Sequence, residues 1–338
     1  MNQAAWSLII FCSICLLLFL GFRPKSGWFW QIKNRLRKND RVIMEDILKI
    51  LFHEEHDTNP VMEIKKALGI SESYLDNLLQ TMEHNQLIVK QEDKLRLTST
   101  GKEYALRIIR IHRLWETFLS EKTGFDKLEW HDRAEAMEHK LSGKEVQELA
   151  SQIGNPRYDP HGDPIPTEDG DLKILKGETL DVFQGDYAKI VHVEDEPESV
   201  YKAILKFGFH IGDTMKIESR KDNAIQLISD STTMIVPNEV AKNITVSKIA
   251  VEAYKKDICR LSRLKLGEKA EIIGLSKECR GINRRRLLDL GFVPNTKISI
   301  QMESPMKEPK AFLIYDTLIA LRKEQADHIL IKKYNKVG

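Results

Sequence analysis

Between Gly185 and Ile329 the chain repeats itself, and this constrains its last third to one small unit made twice. Gly185-Asp186-Tyr187-Ala188-Lys189-Ile190-Val191 matches Gly267-Glu268-Lys269-Ala270-Glu271-Ile272-Ile273. Gly208-Phe209 matches Gly291-Phe292, and Ala241-Lys242-Asn243-Ile244 matches Ala326-Asp327-His328-Ile329, at a spacing that stays between 82 and 85 residues. Self-similarity at a near-constant period is the mark of a duplicated module. Alternation in Lys216 to Glu218, Ile225 to Ile228 and Ile298 to Gln301 predicts short strands, so each copy reads as a small β-barrel, over 175–250 and 260–335.

The front of the chain follows a helical period instead. Short amphipathic helices are expected at Ile43 to His53, Val61 to Leu68 and Ser71 to Gln86, with Gly69-Ile70 as a turn and Ser71 as an N-cap. Leu87-Ile88-Val89 and Leu95-Arg96-Leu97 flank the polar Gln91-Glu92-Asp93-Lys94 and predict a two-stranded wing. A winged helix-turn-helix over 31–100 results, and Thr98 or Ser99 caps a long helix behind it. Such a domain serves either as a DNA reader or as a protein-interaction module.

The middle holds the chemistry. Glu138 and His139 lie three and four residues beyond Glu135 on a helix expected from Trp130 to Leu141, so they are expected to share its face. His131 lies one turn upstream, and His112 and Glu116 are spaced by four on the preceding helix, which Gly124 ends. Three imidazoles among these acids exceed what a solvated charged stripe requires and point to a divalent-cation site in a helical region over 101–155. Ser142-Gly143-Lys144-Glu145 is a capping box opening one more helix, which Gly154 stops. Asn155 to Asp171, with four prolines and two glycines, reads as a linker, bounded at 156–174.

Charge and cysteine content narrow the classes. Lys+Arg 52 against Asp+Glu 50 leaves +2 in 338 residues, so any nucleic-acid affinity rests on local patches such as Arg284-Arg285-Arg286. Four scattered cysteines make no disulfide framework and imply a reducing compartment. Ala4 to Phe22 is a charge-free run of 19 residues, about 28 Å as a helix against a hydrocarbon core of ~30 Å. It predicts a transmembrane anchor within 1–30. Arg23, Lys25, Lys33, Arg35, Arg37, Lys38 and Arg41 behind it place the remainder on the cytoplasmic side of the inner membrane, single-pass.

Three segments resemble the diphtheria-toxin-repressor family of metal-dependent transcription regulators, including its manganese-sensing branch. They are Arg110-Ile111-His112-Arg113-Leu114-Trp115-Glu116, His131-Asp132-Arg133-Ala134-Glu135-Ala136-Met137-Glu138-His139 and Asp159-Pro160-His161-Gly162-Asp163-Pro164-Ile165-Pro166. The resemblance covers Val42 to Ile249. The second β-module, with Arg284-Arg285-Arg286-Leu287-Leu288-Asp289-Leu290-Gly291, is similar to FeoA domains, the partners of ferrous iron transporters. The fold implied is multidomain α+β: a transmembrane helix, a winged helix-turn-helix, a helical metal-binding and dimerisation domain, and two SH3-like barrels. By position, the resemblance assigns Glu135, Glu138 and His139 to a primary regulatory site. Val42 stands where a first-helix ligand is usual and Glu45 matches a second such position, which leaves that site one ligand short. His112, Glu116 and His131 fall on a second site, completed by Glu196 or Glu198.

Carboxylate and imidazole donors suit Mn²⁺ or Fe²⁺, with Zn²⁺ as a competitor. The resemblance implies a homodimeric repressor of metal-uptake genes on double-stranded operator DNA, with the ion as co-repressor. Ser71, Ser73, Tyr74, Asn77 and Gln80 are the base-reading candidates, and Lys90, Lys94 and Arg96 of the wing the phosphate contacts. The expected recognition helix carries Glu72, Asp76 and Glu83 and no Lys or Arg, which disfavours DNA. The alternative is therefore an anchored metal sensor that regulates a ferrous iron or manganese transporter by protein contact. His-Glu-x-x-His, P-loop and Gly-x-Ser-x-Gly signatures are all absent, so no enzyme is expected.

Overall fold

The computed structural model describes residues 40–53, 60–91, 94–221, 223–229, 232–254, 258–276, 279–305 and 308–334. The chain divides into two units, Met1–Ile108 and Ile109–Gly338.

In the first unit, Ile43, Ile47, Leu48 and Leu51 recur at helical spacing and form the buried stripe of α1 (Asp40–His53). Helix α2 (Pro60–Leu68) ends at Gly69, where φ is +61°. Helix α3 (Glu72–His84) buries Leu75, Leu78 and Met82 against the same core, each side chain contributing about 1.5–3 kcal/mol on leaving water. It stops two residues short of the expected Gln86, which adopts a φ of +59° that no helix continues through. Strands β1 (Ile88–Gln91) and β2 (Lys94–Leu97) pair antiparallel as the wing, in the register Ile88 to Leu97. Thr98 Oγ1 accepts from the Gly101 amide at 3.0 Å and caps helix α4 (Ser99–Lys122). Gly101 is packed on the wing so closely that a Cβ would lie 1.9 Å from the Leu87 carbonyl oxygen.

Helix α4 crosses the unit boundary, and its second half opens the second unit. Helix α5 (Trp130–Glu138) and helix α6 (Gly143–Gln152) follow. The capping box at the start of α6 is formed in both directions, between Ser142 and Glu145. Ile111 and Leu114 of α4 meet Val146, Leu149 and Ile153 of α6, and Ile165 from the proline-rich segment closes that core.

The two β-modules confirm the duplication strand for strand. The first comprises β3 (Glu178–Thr179), β4 (Tyr187–Val193), helix α7 (Glu198–Phe207), β5 (Thr214–Lys221), β6 (Ala224–Ser229), β7 (Thr232–Pro237), helix α8 (Asn238–Ala241) and β8 (Ile244–Lys248). The second comprises β9 (Ile258–Arg260), β10 (Lys269–Leu275), helix α9 (Gly281–Asp289), β11 (Lys297–Glu303), β12 (Lys310–Ile314), β13 (Thr317–Leu321), helix α10 (Lys323–Asp327) and β14 (Ile329–Lys333). Their orders, β3-β8-β4-β5-β6-β7 and β9-β14-β10-β11-β12-β13, are the same. Register shifts recur at equivalent places, Ile217/Ser219 in one and Ile300/Met302 in the other.

Three expectations are corrected. The modules are open six-stranded sheets, not closed barrels, because the outer strands of each sheet do not pair with one another. One edge is a strand of two residues, β3, or three, β9, too short for a ladder that closes a barrel. Secondly, no helix among the described residues is long and apolar enough to cross a membrane, so the transmembrane helix and the single-pass inner-membrane location find no support. The run from Ala4 to Phe22 itself lies outside the described residues. Thirdly, residues 157–166 are a built element, not a plain linker. Ile165 N bonds Arg157 O at 3.0 Å, and Tyr158 and Pro164 form a bridge.

Candidate metal centre

Every third or fourth residue of α4's second half faces inward, and this sets His112 and Glu116 side by side. His112 Nε2 lies 3.1 Å from Glu116 Oε1, and both residues are buried. From α5, His131 Nδ1 comes to 3.6 Å of the same oxygen. The β4–α7 connection adds Asp195, whose Oδ2 is 3.5 Å from His131 Nδ1, and Glu196, whose Oε1 is 2.6 Å from His131 Nε2. Of the two acids expected to complete this set, Glu196 arrives. Glu198 opens α7 and pairs with Lys202 at 3.0 Å.

His161 is the residue that sequence reasoning left out of the site. It stands in a turn that Asp159 organises: Asp159 Oδ1 accepts from the amides of His161 and Asp163, both at 2.9 Å. Arg113, next to His112 on α4, donates to the Pro164 carbonyl at 2.7 Å and to Asp163 at 3.2 Å. At Gly162 the backbone has φ +97°, and a Cβ would lie 2.1 Å from the Val191 carbonyl oxygen, so only glycine lets the turn reach β4. The His161 ring, 2 % exposed, points its Nε2 at Asp195 Oδ2 (3.6 Å) and Glu116 Oε1 (4.0 Å).

Two overlapping trios result, His112-Glu116-His131 and Glu116-His161-Asp195, in each of which one ligand atom per residue lies within 4.8 Å of the others. Among the described residues neither ring nitrogen of His161 has a hydrogen-bond partner, nor does His131 Nδ1, although all three are buried. Buried polar atoms cost free energy unless satisfied. Donors about 2.0–2.2 Å from a shared cation stand roughly 3–4 Å apart, so this spacing fits an ion between them.

The electrostatics agree. Burial opposes ionisation of Glu116, but His112, His131 and His161 outweigh it and hold the carboxyl well below its ordinary range. Burial likewise disfavours the His131 cation, yet Asp195, Glu116 and Glu196 push it up to about 12. Asp159, by contrast, is driven well above the usual carboxylate range by burial and by Asp163 and Glu116.

The primary set is only partly brought together. Trp130, Ala134 and Glu138 are the buried stripe of α5, so Glu135 falls about 100° off it and is exposed. Helix α5 also stops at Glu138, short of the expected Leu141, with His139 as its C-cap. Glu138 is buried, with Oε1 3.3 Å from His139 Nε2 and Oε2 2.6 Å from His112 Nδ1, so it borders both sets. Glu45, in the first unit, is buried on α1 and engaged by Arg41 at 2.9 Å and by the Tyr104 hydroxyl.

Also in the first unit, Ser71, Ser73, Asn77 and Gln80 are exposed on the outer side of α3. Tyr74 is half-buried, its hydroxyl donating to Asp40. Lys90, Lys94 and Arg96 are exposed on the wing.

Comparison with known proteins accords with this geometry. Residues 98–167 match the family model "Iron dependent repressor, metal binding and dimerisation domain", and residues 259–333 match the FeoA domain. A protein of Chlamydia pneumoniae named "Probable metal transport system membrane protein" is 30% identical over 171 residues, which make up 48% of this chain and 38% of that protein. The chain thus spans well under half the length of that relative. The diphtheria toxin repressor of Corynebacterium diphtheriae is 31% identical over 115 residues, 33% of this chain and 51% of the repressor. A solved manganese-dependent transcriptional repressor in complex with manganese aligns with a TM-score of 0.57 at 26% identity, covering 61% of this chain and 100% of its own. Residues 98–167 are therefore similar to the metal-binding and dimerisation domain of iron-dependent repressors, and residues 259–333 to FeoA domains.

Proposed function

We propose that the protein is a metal-dependent transcriptional repressor, acting as a homodimer on operator DNA, with Mn²⁺ or Fe²⁺ held by His112, Glu116, His131, His161 and Asp195. The observation that carries the reading is His161 Nε2, buried without a hydrogen-bond partner among the described residues and facing Glu116 and Asp195 beside the two other imidazoles. An all-oxygen and nitrogen donor set selects hard or borderline divalent ions. Glu138 and His139 are the residues available to a second ion. Ser71, Ser73, Asn77 and Gln80 supply base-reading groups, with Lys90, Lys94 and Arg96 on the phosphates. Binding energy here serves to select one arrangement of the protein, a regulatory role with no substrate chemistry.

A second reading has a specific observation in its favour. Helix α3 carries Glu72, Asp76 and Glu83 without a single Lys or Arg, and a relative bears a metal-transport name. In that reading the ion-loaded protein regulates a metal transporter by contact. Equilibrium dialysis of the full chain against Mn²⁺ and Co²⁺, with and without Glu116→Gln, tests the shared premise. Loss of most uptake in the variant is expected. Equal uptake by variant and wild type removes the cluster from consideration.

A further inference from the structure

A cleft of about 1430 Å³ opens in the second unit, lined by none of the proposed metal ligands although their chain neighbours Thr117, Trp130, Pro160 and Gly162 border it. Its walls come from the C-terminal end of α4, the extended stretch Leu172–Lys176, strand β4, helix α9 and the residues around α10. Three features define what fits it.

The first is charge. Lys127, Lys173, Lys176, Lys189, Arg286 and Arg322 line the cleft, and among the described residues no carboxylate forms an ion pair with Lys127, Lys173, Lys176, Lys189 or Arg286. The lining acids are few. Glu121 faces Arg280 at 3.7 Å, Asp159 is engaged by the His161 and Asp163 amides at 2.9 Å and lies 3.9 Å from Arg113, and Glu324 is the third.

The second is an open main chain. Residues 172–177 carry no secondary structure and make no backbone–backbone hydrogen bond among the described residues, and they run directly into β3, the edge strand of the first sheet. An extended segment continuing an edge strand offers N–H and C=O groups to an added strand. Ile174 is 88 % exposed there, so its side chain is not what holds the segment in place.

The third is size and lining. The volume exceeds the roughly 300–1,000 Å³ usual for small-molecule sites. Ile211 and Leu290 give apolar patches between the cations. Single-stranded nucleic acid needs a series of open rings to stack on. Of the aromatic rings in the walls, Phe125 is already covered by the Arg133 guanidinium, 3.5 Å from its centroid, which leaves Tyr158 as the most exposed.

We propose that this cleft binds an extended acidic peptide segment of a partner protein, which pairs its main chain with residues 172–176 and sets carboxylates against Lys176, Lys189 and Arg286. The partner's apolar side chains, alternating with its acids, fill the patches between them.

The test is selection from a displayed library of short random peptides on the full-length protein, counter-selected on Lys176→Glu/Arg286→Glu. The enriched sequences are expected to be acidic with alternating apolar residues. Synthetic copies should bind at low salt, weaken about tenfold or more in the charge-reversed protein, and lose affinity as salt rises. Ile174→Pro, which removes one amide without touching a cation, should also weaken them. The proposal is overturned if no cleft-dependent acidic sequence emerges, if Ile174→Pro and the charge reversal bind as wild type, or if adenosine triphosphate or inorganic tripolyphosphate occupies the cleft and displaces every peptide. A Mn²⁺ titration of the same preparations keeps this result separate from the metal reading, since neither variant touches a proposed ligand.

Discussion

At the scale of single residues, His161 decides more than any other side chain. Its ring is buried, both nitrogens are unsatisfied among the described residues, and a rigid turn aims it at two carboxylates. His161→Ala is expected to raise the Mn²⁺ dissociation constant by about 100-fold, at the upper end of what even outer-shell losses cost; isothermal titration reads this directly, and an unchanged constant contradicts the assignment. His131 gives a second prediction. Its carboxylate neighbours push it up to about 12, so at pH 7 it carries a proton that a bound ion must displace. Mn²⁺ uptake should release about one proton per ion from this group, and affinity should rise with pH. Titrations in buffers of different ionisation enthalpy measure the release.

The sequence made His112, Glu116 and His131 legible because helices impose short, fixed spacings. His161 was within a quoted motif yet unassigned, because a turn rich in proline and glycine carries no period from which a side chain's direction can be read. Glu135, which is exposed, shows the converse. Its spacing from Glu138 and His139 suited a continuous helix, but α5 ends at Glu138 and buries the stripe through Trp130 and Ala134.

At the scale of elements, backbone packing explains what propensity cannot. Gly101 sits in a helix, where glycine is unfavourable, because the wing's Leu87 carbonyl leaves no room for a Cβ. Gly101→Ala should therefore destabilise the first unit, by about 3 kcal/mol if the wing must shift, whereas helix propensity alone predicts a gain. A denaturant midpoint distinguishes the two signs. Ser142→Ala, which removes a reciprocal cap seen in both sequence and structure, should cost about 1 kcal/mol. The helix-turn-helix, wing and duplicated modules were legible from period and turn residues. Closure of the modules was not, since it depends on whether β3 and β9 grow long enough to pair, a property of tertiary packing.

At the scale of the whole molecule, the duplicated modules differ in the groups they carry at matching places, His328 standing where the first copy has Asn243. His328, at the end of α10, is pushed down to about 4 by burial and by Lys127 and His210. Its folded value lies below the unfolded one of about 6.5, so the unfolded chain binds the extra proton. Stability from this group is full above pH 6.5 and declines as pH falls toward 4, by at most about 3 kcal/mol. Urea midpoints at neutral and mildly acidic pH should show that slope, and His328→Gln should flatten it.

The central claim joins the ion to DNA. Sheared genomic DNA incubated with the full chain, recovered with the protein and sequenced, tests it in the presence of Mn²⁺, in chelator, and with Glu116→Gln. Discrete fragments should be recovered with Mn²⁺ alone, and be lost both in chelator and in the variant. Recovery of the same fragments under all three conditions would contradict the account.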